Sequence, residues 1–518
     1  MNSEMSIPNV LIANQSNEEN QNTELNTVRL TPNSFSNNTV NFVLPKLGHV
    51  LDHNSSLVWS VSWDDYNPAR ITDNQRVCLK NFSGCLNTLR RARMYVGGRL
   101  LFTNPDPAQV IHIDKISTNP DHYEEVEDVK LGGQHGFHLL EEAGNGRSNI
   151  KLAADVSTVN CVRGVDPQTP PVNPLDNFKR VTRALGSFST TATQNAAWEG
   201  TIMLSDLFPA LKGGIQIPIA LLTEQVRVEV DFETNFDEVA LLVRASDNAI
   251  TATPSISIRN PLLILDYLTY EPVVEAGLRE AMAAGITIPY RQVDQITKVI
   301  PAYTAQNQQN DVFLGFQGKL LMKVYASVRS ANIVNTANSA MNRGNGRCRS
   351  DALHDMKFNL LVNDLNIFDQ KVDTCSQRYN YLSMAKQFPV YVYPNTFDYN
   401  TQWNQAVSTD DYNAGEVTIG GSAATAANGG LSDIFCRDMI AGTQSYVGID
   451  LSKYGPGGGI NPANAGYRVG STPMILQLTY NGGANGNVPP GTAHTVDVFC
   501  ESVKVLQMRN GLVEVMDA

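Results

Sequence analysis

The chain has 518 residues, 42% of them hydrophobic, and a formal net charge of −12. That length exceeds one β-sandwich and suits two of about 200–250 residues each, with enough apolar content for real cores. The negative balance argues against a protein that wraps nucleic acid through a basic footprint. With no uninterrupted run of about 18 apolar residues, no transmembrane helix is expected.

Residues 1–28 are rich in Asn, Gln, Glu and Ser, as in Asn14-Gln15-Ser16-Asn17-Glu18-Glu19. They bury too little apolar surface to offset their ordering entropy and are expected to form a mobile arm. The start, Met1-Asn2-Ser3-Glu4-Met5, has neither a basic nor an apolar stretch, so no secretory signal is expected. Strands follow. Leu57, Trp59, Val61 and Trp63 alternate with Val58, Ser60 and Ser62, the period of two that gives a strand one apolar face. Met94-Tyr95-Val96 and Arg99 to Phe102 flank Gly97-Gly98, a two-residue turn that needs positive φ. Residues 117–200 read as a long loop insertion. Leu204-Ser205 then leads through a Gly/Pro-rich stretch to Val226, Val228, Val230 and Phe232, which alternate with Arg227, Glu229 and Asp231. At 272–285 a helix is expected: Pro272 suits the first turn, Val274 and Leu278 share a face, and Gly285 suits the stop.

The second half repeats the first. Met322, Val324, Ala326 and Val328 alternate with Lys323, Tyr325, Ser327 and Arg329, and Met322 lies 263 residues after Trp59. Leu360 to Val362 and Leu365 to Phe368 flank Asn363-Asp364, with Val362 following Val96 by 266 residues. Both turns are expected to share one conformation. Residues 395–470 form a second loop-like insertion, within which Leu451-Ser452 corresponds to Leu204-Ser205. Met474, Leu476, Leu478 and Tyr480 alternate with Gln477 and Thr479, and Met474 lies 248 residues after Val226. Matched elements in one order predict two copies of one β-domain. The expected division is an arm over 1–28, a first domain over 29–271, a linker helix over 272–285 and a second domain over 286–518. Long insertions in both copies are expected to be held by neighbouring chains.

No constellation carries chemistry. Seven cysteines (Cys78, Cys85, Cys161, Cys348, Cys375, Cys436, Cys500) form no CxxC pair and read as reduced, mostly buried thiols. His135 and His138, followed by Glu141 and Glu142, are the one cluster resembling a metal site, but the Gly-rich context reads as loop and no third ligand has a recognisable spacing. Gly455-Pro456-Gly457-Gly458-Gly459 lacks the Gly-Lys-Ser/Thr of a phosphate loop. The basic clusters Arg90-Arg91-Ala92-Arg93 and Arg343, Arg347 and Arg349 read as solvated surface or interface charge. Catalytic, cofactor-binding and metal-binding residues: none is assigned.

Leu204-Ser205-Asp206-Leu207-Phe208-Pro209, then Ile217-Pro218-Ile219, then the Val226–Phe232 strand, resembles a hallmark stretch of double jelly-roll major capsid proteins. Val496 to Leu512, ending Asn510-Gly511-Leu512, looks like that family's closing strand. In size the chain is similar to the major capsid proteins of virophages, polinton-like viruses and related double-stranded DNA viruses. The second copy departs from the pattern, with Tyr454-Gly455-Pro456 in place of the Phe208-Pro209 step. The resemblance implies an all-β fold of two tandem jelly rolls, eight-stranded β-sandwiches joined by the short helix. It implies a homotrimer forming a pseudo-hexagonal capsomer of an icosahedral shell, with no enzyme activity and no cofactor. Partners would be neighbouring capsomers, penton proteins and minor capsid or cement proteins, without specific nucleic-acid binding. The location would be the virion, after assembly in the host cytoplasm or nucleus.

Two alternatives compete. A secreted or surface double β-sandwich that binds carbohydrate or adheres shares the architecture, but should carry a secretion signal or an exposed aromatic platform, and neither is visible. A two-domain cupin-type enzyme needs a His-rich metal set, whereas the eight histidines scatter.

Overall fold

Alternating strands dominate both halves and pair in the same order. In the first half these are β1 (Thr23–Leu30), β2 (Thr39–Val43), β3 (Ser56–Trp63), β4 (Leu89–Val96), β5 (Arg99–Asn104), β6 (Ala197–Met203), β7 (Val226–Phe232) and β8 (Ile256–Tyr270). One sheet runs β1-β8-β3-β6, and the facing sheet has β2-β7-β4-β5. The second half supplies β9 (Ile286–Ile300), β10 (Gln309–Leu314), β11 (Leu320–Ser330), β12 (Met356–Val362), β13 (Leu365–Asn366), β14 (Val447–Asp450), β15 (Met474–Tyr480) and β16 (His494–Arg509). These pair as β9-β16-β11-β14 and β10-β15-β12-β13. Each strand of the first set has its counterpart eight places on, and each set has the pairing of a jelly roll.

The computed structural model describes residues 23–36, 38–63, 75–79, 84–115, 184–187, 197–213, 215–244, 250–252, 256–305, 307–330, 356–372, 375–386, 418–419, 422–423, 446–453, 466–480 and 493–517.

The repeat holds at the level of single residues. Val228 faces Met94 across β7 and β4, and Leu476 faces Leu360 across β15 and β12. The 248-residue and 266-residue offsets, read from separate segments, thus land on one equivalent cross-strand pair. Period-two alternation decides which side is buried. Trp59, Val228 and Phe232 are in the first core, where Trp59 Nε1 donates to Thr88 Oγ1 (3.0 Å). Leu476 and Tyr480 are in the second.

Four expectations change. Residues 23–28, expected in the arm, are strand: β1 pairs with β8 from Thr23↔Tyr270 to Leu30↔Leu263, and Val28 and Leu30 pack against the first core. On β11 a bulge between Leu321 and Lys323 moves the inward side, so Leu321 joins Val324, Ala326 and Val328 in the core and Met322 does not. The two hairpin turns share length but not conformation. In the first only Gly97 has positive φ (58°), whereas Asn363 (52°) and Asp364 (63°) are both positive. Finally, the stretch 395–470 is not all loop, because β14 lies in it, and 117–200 contains the start of β6 and a strand Ala184–Ser187. The second stretch also holds short strands Thr418–Ile419, Ser422–Ala423 and Tyr467–Arg468, and most of both insertions lies outside the described residues, as do residues 1–22.

The rolls are joined by more than the linker. Helix α2 (Pro272–Ala284) follows α1 (Pro107–Lys115) in chain order. It begins with proline in its first turn and ends at Gly285, with Leu278 and Met282 buried. Val274 and Ala281 pack beside them against the first core. β9 and β16 pair without interruption from Ile286↔Met508 to Ile300↔His494. Ile286, Ile288, Tyr290, Leu506 and Met508, at one end, belong to the first core. Ile300, Val496, Val498 and Cys500, at the other, belong to the second. One ladder therefore passes through both cores. It continues into β17 (Leu512–Asp517) through Asn510 (φ 52°) and Gly511 (φ 77°), a turn in which both central residues have positive φ.

Candidate functional site

The junction between rolls begins where the edge strand β5 meets β9. Tyr290 Oη donates to Leu101 O (3.0 Å), and the Tyr290 ring meets Phe102 edge-on at 5.2 Å. The Gln292 side chain pairs with the Thr103 backbone as a second strand would, Nε2 donating to Thr103 O (2.6 Å) and Thr103 N donating to Oε1 (3.4 Å). Arg99 Nη1 donates to Val513 O (2.6 Å), and Thr223 N donates to Gly511 O (2.9 Å), tying the C-terminal hairpin to the first roll. Apolar packing completes the contact. Val110 and Ile113 of α1 meet Val293, Tyr325 and Phe499 of the second roll, with Leu382 and Ala385 of α3 (Cys375–Lys386) alongside.

A buried charge bridges the same junction. Arg329 Nε donates to Asp497 Oδ2 (2.9 Å), with side-chain exposures of 10% and 1%, and Arg329 Nη1 lies 3.7 Å from Glu238 Oε1 of the first roll. Thr297 Oγ1 (2.6 Å) and Gln295 Nε2 (3.3 Å) donate to the other Asp497 oxygen. Burial works against the Arg329 charge, but Asp497 and then Glu238 outweigh it and hold the guanidinium protonated.

The outer faces of the β2-type sheets are exposed to comparison row by row. In the first roll Val43, Arg227 and Tyr95 lie side by side, followed by Asn41–Glu229–Arg93 and Thr39–Asp231–Arg91. Arg227 stacks 4.6 Å over the Tyr95 ring. Arg91 and Arg93 each pair with Asp231 at 2.9 Å, Arg93 also with Glu229, and Arg90 with Asp106 (3.5 Å) and Glu233 (3.8 Å). The Arg90–Arg93 cluster is thus matched by carboxylates. The second roll places Phe313–Ile475–Leu361, Asp311–Gln477–Asn359 and Gln309–Thr479–Lys357 in the corresponding rows. There Phe313 is 58% exposed.

His135, His138, Glu141 and Glu142, the Gly455–Gly459 stretch, and Arg343, Arg347 and Arg349 lie outside the described residues. Among the described residues no group of three His, Cys, Asp or Glu is placed to hold a metal. No described helix is long and apolar enough to cross a membrane. Cys85 and Cys500 are buried free thiols whose ionisation burial pushes far up. Asp52 and His53 form a titrating pair, 2.8 Å apart. Burial raises the Asp52 carboxyl, but the hydrogen bond and charge of His53, with help from Asn54, bring it below the usual range. The bond to Asp52 raises His53 against burial. Sequence patterns did not locate the junction residues; the Asn510-Gly511 pair, a strong hairpin signal, was the available pointer to β17.

No protein-family model matches the sequence, and no curated protein does. Solved structures do. In the cryo-EM structure of the Sputnik virophage, one chain is 13% identical to this one, the match covering 96% of this chain and 89% of that one at a TM-score of 0.53. PBCV-1 VP54, a crystal structure fitted into a cryo-EM reconstruction of the virophage Sputnik, is 11% identical, with 96% and 97% covered and a TM-score of 0.51. At such identity the likeness is one of fold. The chain has the double jelly-roll fold found in the major capsid proteins of these double-stranded DNA viruses.

Proposed function

We propose that this chain is a major capsid protein that trimerises into pseudo-hexagonal capsomers tiling an icosahedral virion shell. The observation that carries the reading is the residue-level equivalence of two complete rolls in one chain, joined by a ladder that runs through both cores. Three such chains would present six nearly equivalent upright sandwiches, the shape that packs on a flat facet, and closed symmetry would supply the many weak contacts of a shell. The paired Arg90–Arg93 cluster and the net charge of −12 support a structural role without specific nucleic-acid binding. In this reading the protein is not an enzyme. Its partners are two further copies, neighbouring capsomers, and penton and minor capsid or cement proteins, and its place is the virion after assembly in the host cytoplasm or nucleus. The division into a first roll ending at 271, a linker over 272–285 and a second roll from 286 belongs to the same proposal. So does the holding of insertions 117–200 and 395–470 by neighbouring subunits. Negative-stain microscopy of the purified protein tests it: six-cornered particles or shells are expected, and isolated two-lobed monomers would overturn it.

A further inference from the structure

The two rolls differ at one sheet edge. In the first, the chain between β1 and β2 lays a short strand, Ser34–Ser36, along β2. Asn33 N donates to Asn41 O (2.8 Å) and Val43 N donates to Asn33 Oδ1 (2.6 Å), so outward backbone groups of β2 are taken. Phe35 meets the core ring of Phe232 at 6.5 Å. The connection in the second roll has the same length, because Ile300 and Gln309 follow Leu30 and Thr39 by 270 residues. It folds otherwise. Tyr303 turns into the core and donates to Leu478 O (3.3 Å), while Thr304 N donates to Gln308 Oε1 (2.8 Å). Tyr480 N donates to Gln308 O (2.9 Å), which sets the phase of the ladder. Asn310, Val312 and Leu314 therefore bond toward β15, and Gln309, Asp311 and Phe313 turn their N–H and C=O groups outward. Among the described residues no strand pairs with that side of β10. An open edge is a template for a further strand. β10 has neither proline nor bulge, and Asp311 is its one charge. Phe313, 58% exposed, and the half-buried Ile475 and Leu361 form an apolar row beside it.

We propose that this edge is filled by a segment of the chain's own N-terminal arm, Asn9-Val10-Leu11-Ile12-Ala13, added to β10 as a strand. Val10 to Ala13 is the longest apolar run within residues 1–22, and no charged residue lies between Glu4 and Glu18. The run therefore sets no carboxylate against Asp311, and its Val and Ile suit a strand. Period two would put one pair of its side chains beside Phe313 and the other where Phe35 lies in the first roll. Reach fits as well. Thr23 pairs with Tyr270, which leads through α2 to Ile286, so the arm leaves the fold at the end where β9 begins. β10 runs back toward that end after the connection that follows Ile300. Residues 14–22, between the run and Thr23, span up to about 30 Å. The inference does not rest on the capsomer reading, because one chain suffices for it.

The test is hydrogen–deuterium exchange of the full chain, read by mass spectrometry on peptides covering 6–15, 309–314 and 474–480. In wild type the amides of 10–13 should exchange at least about tenfold more slowly than those of an unstructured peptide of the same sequence. Asp311→Pro removes an outward N–H and leaves the ladder to β15 whole. It should abolish the protection of 10–13 while 474–480 stays protected, and Asp311→Thr, which keeps the N–H, should preserve it. Leu11→Pro lies in the arm and cannot unfold the roll; it should speed exchange in 309–314 about tenfold. Unprotected 10–13 amides in wild type overturn the proposal, as does protection that survives Asp311→Pro or a 309–314 peptide indifferent to Leu11→Pro. Protection of 10–13 that fades on dilution assigns the edge to the arm of another copy and overturns the same-chain docking. None of these outcomes bears on the mass of the particle, which decides the capsomer reading separately.

Discussion

The two rolls use the same ladder to present different chemistry, most plainly in one row of their outer faces. Where β7 and β4 place Arg227 over Tyr95 and pair Arg91 and Arg93 with Glu229 and Asp231, β15 and β12 place Ile475 beside Leu361 and leave Phe313 bare. The inward positions show no such divergence: Val228 and Leu476, like Met94 and Leu360, are all buried and apolar. Each sandwich must be filled, so inward positions are restricted by packing. Outward positions answer only to whatever lies beyond them. Arg227 and Ile475 are therefore a guide to surroundings, and Val228 and Leu476 a guide to descent from one repeated unit.

The comparison breaks most visibly in the cores. Val228→Asp and Leu476→Asp should each cost several kcal/mol, because each buries a charge without a partner. Soluble yield and urea unfolding measure this, and a large loss at one position with none at the other would end the equivalence. Next in size is the junction. Arg329→Met leaves Asp497 uncompensated in a buried site and should cost about 3–5 kcal/mol. Arg91→Ala, at a pair whose arginine is 48% exposed, should cost no more than about 1 kcal/mol. Chemical denaturation of both variants sharpens the distinction between buried bridge and surface lattice.

Smaller effects belong to the turns. Gly511 has φ 77°, and a Cβ there would lie 2.7 Å from Leu221 O, so Gly511→Ala should cost about 1–3 kcal/mol. Asp364→Gly relieves a positive φ of 63° and should cost nothing or stabilise by up to about 1 kcal/mol. Melting curves read both. The smallest effect is the pH dependence of the first roll. Asp52, held low, contributes stability above the ordinary carboxylate range that is lost as pH falls through its lowered value. His53, held high, contributes below about pH 6.5 and loses that contribution as pH rises through its raised value. His53→Ala should flatten the stability profile on the alkaline side by about 0.5–1 kcal/mol, measured by urea unfolding from pH 5 to 9.

Much of this architecture was legible from alternation, because β7 buries every second residue and β3 and β15 do so over most of their length. The linker helix was equally legible from Pro272 and Gly285. Strand β14 was not: Val447-Gly448-Ile449-Asp450 is buried on both sides, and such a strand has no period to read. β13 was legible from its turn, although only Leu365–Asn366 of the expected Leu365 to Phe368 is strand. The bulge at Leu321–Lys323 shifted an alternation that looked regular as sequence. β9 and β16 serve two cores in succession, so no single face described them. The Arg329–Asp497 bridge joins residues 168 positions apart and leaves no local signature, which hid the junction from sequence reading altogether.

The most direct test of the central claim, that two equivalent rolls in one chain build a capsomer, is the mass of the purified protein by light scattering. A particle of three times the 56.7 kDa chain, or larger shells made from it, is expected. A stable species of 56.7 kDa at every concentration would contradict it.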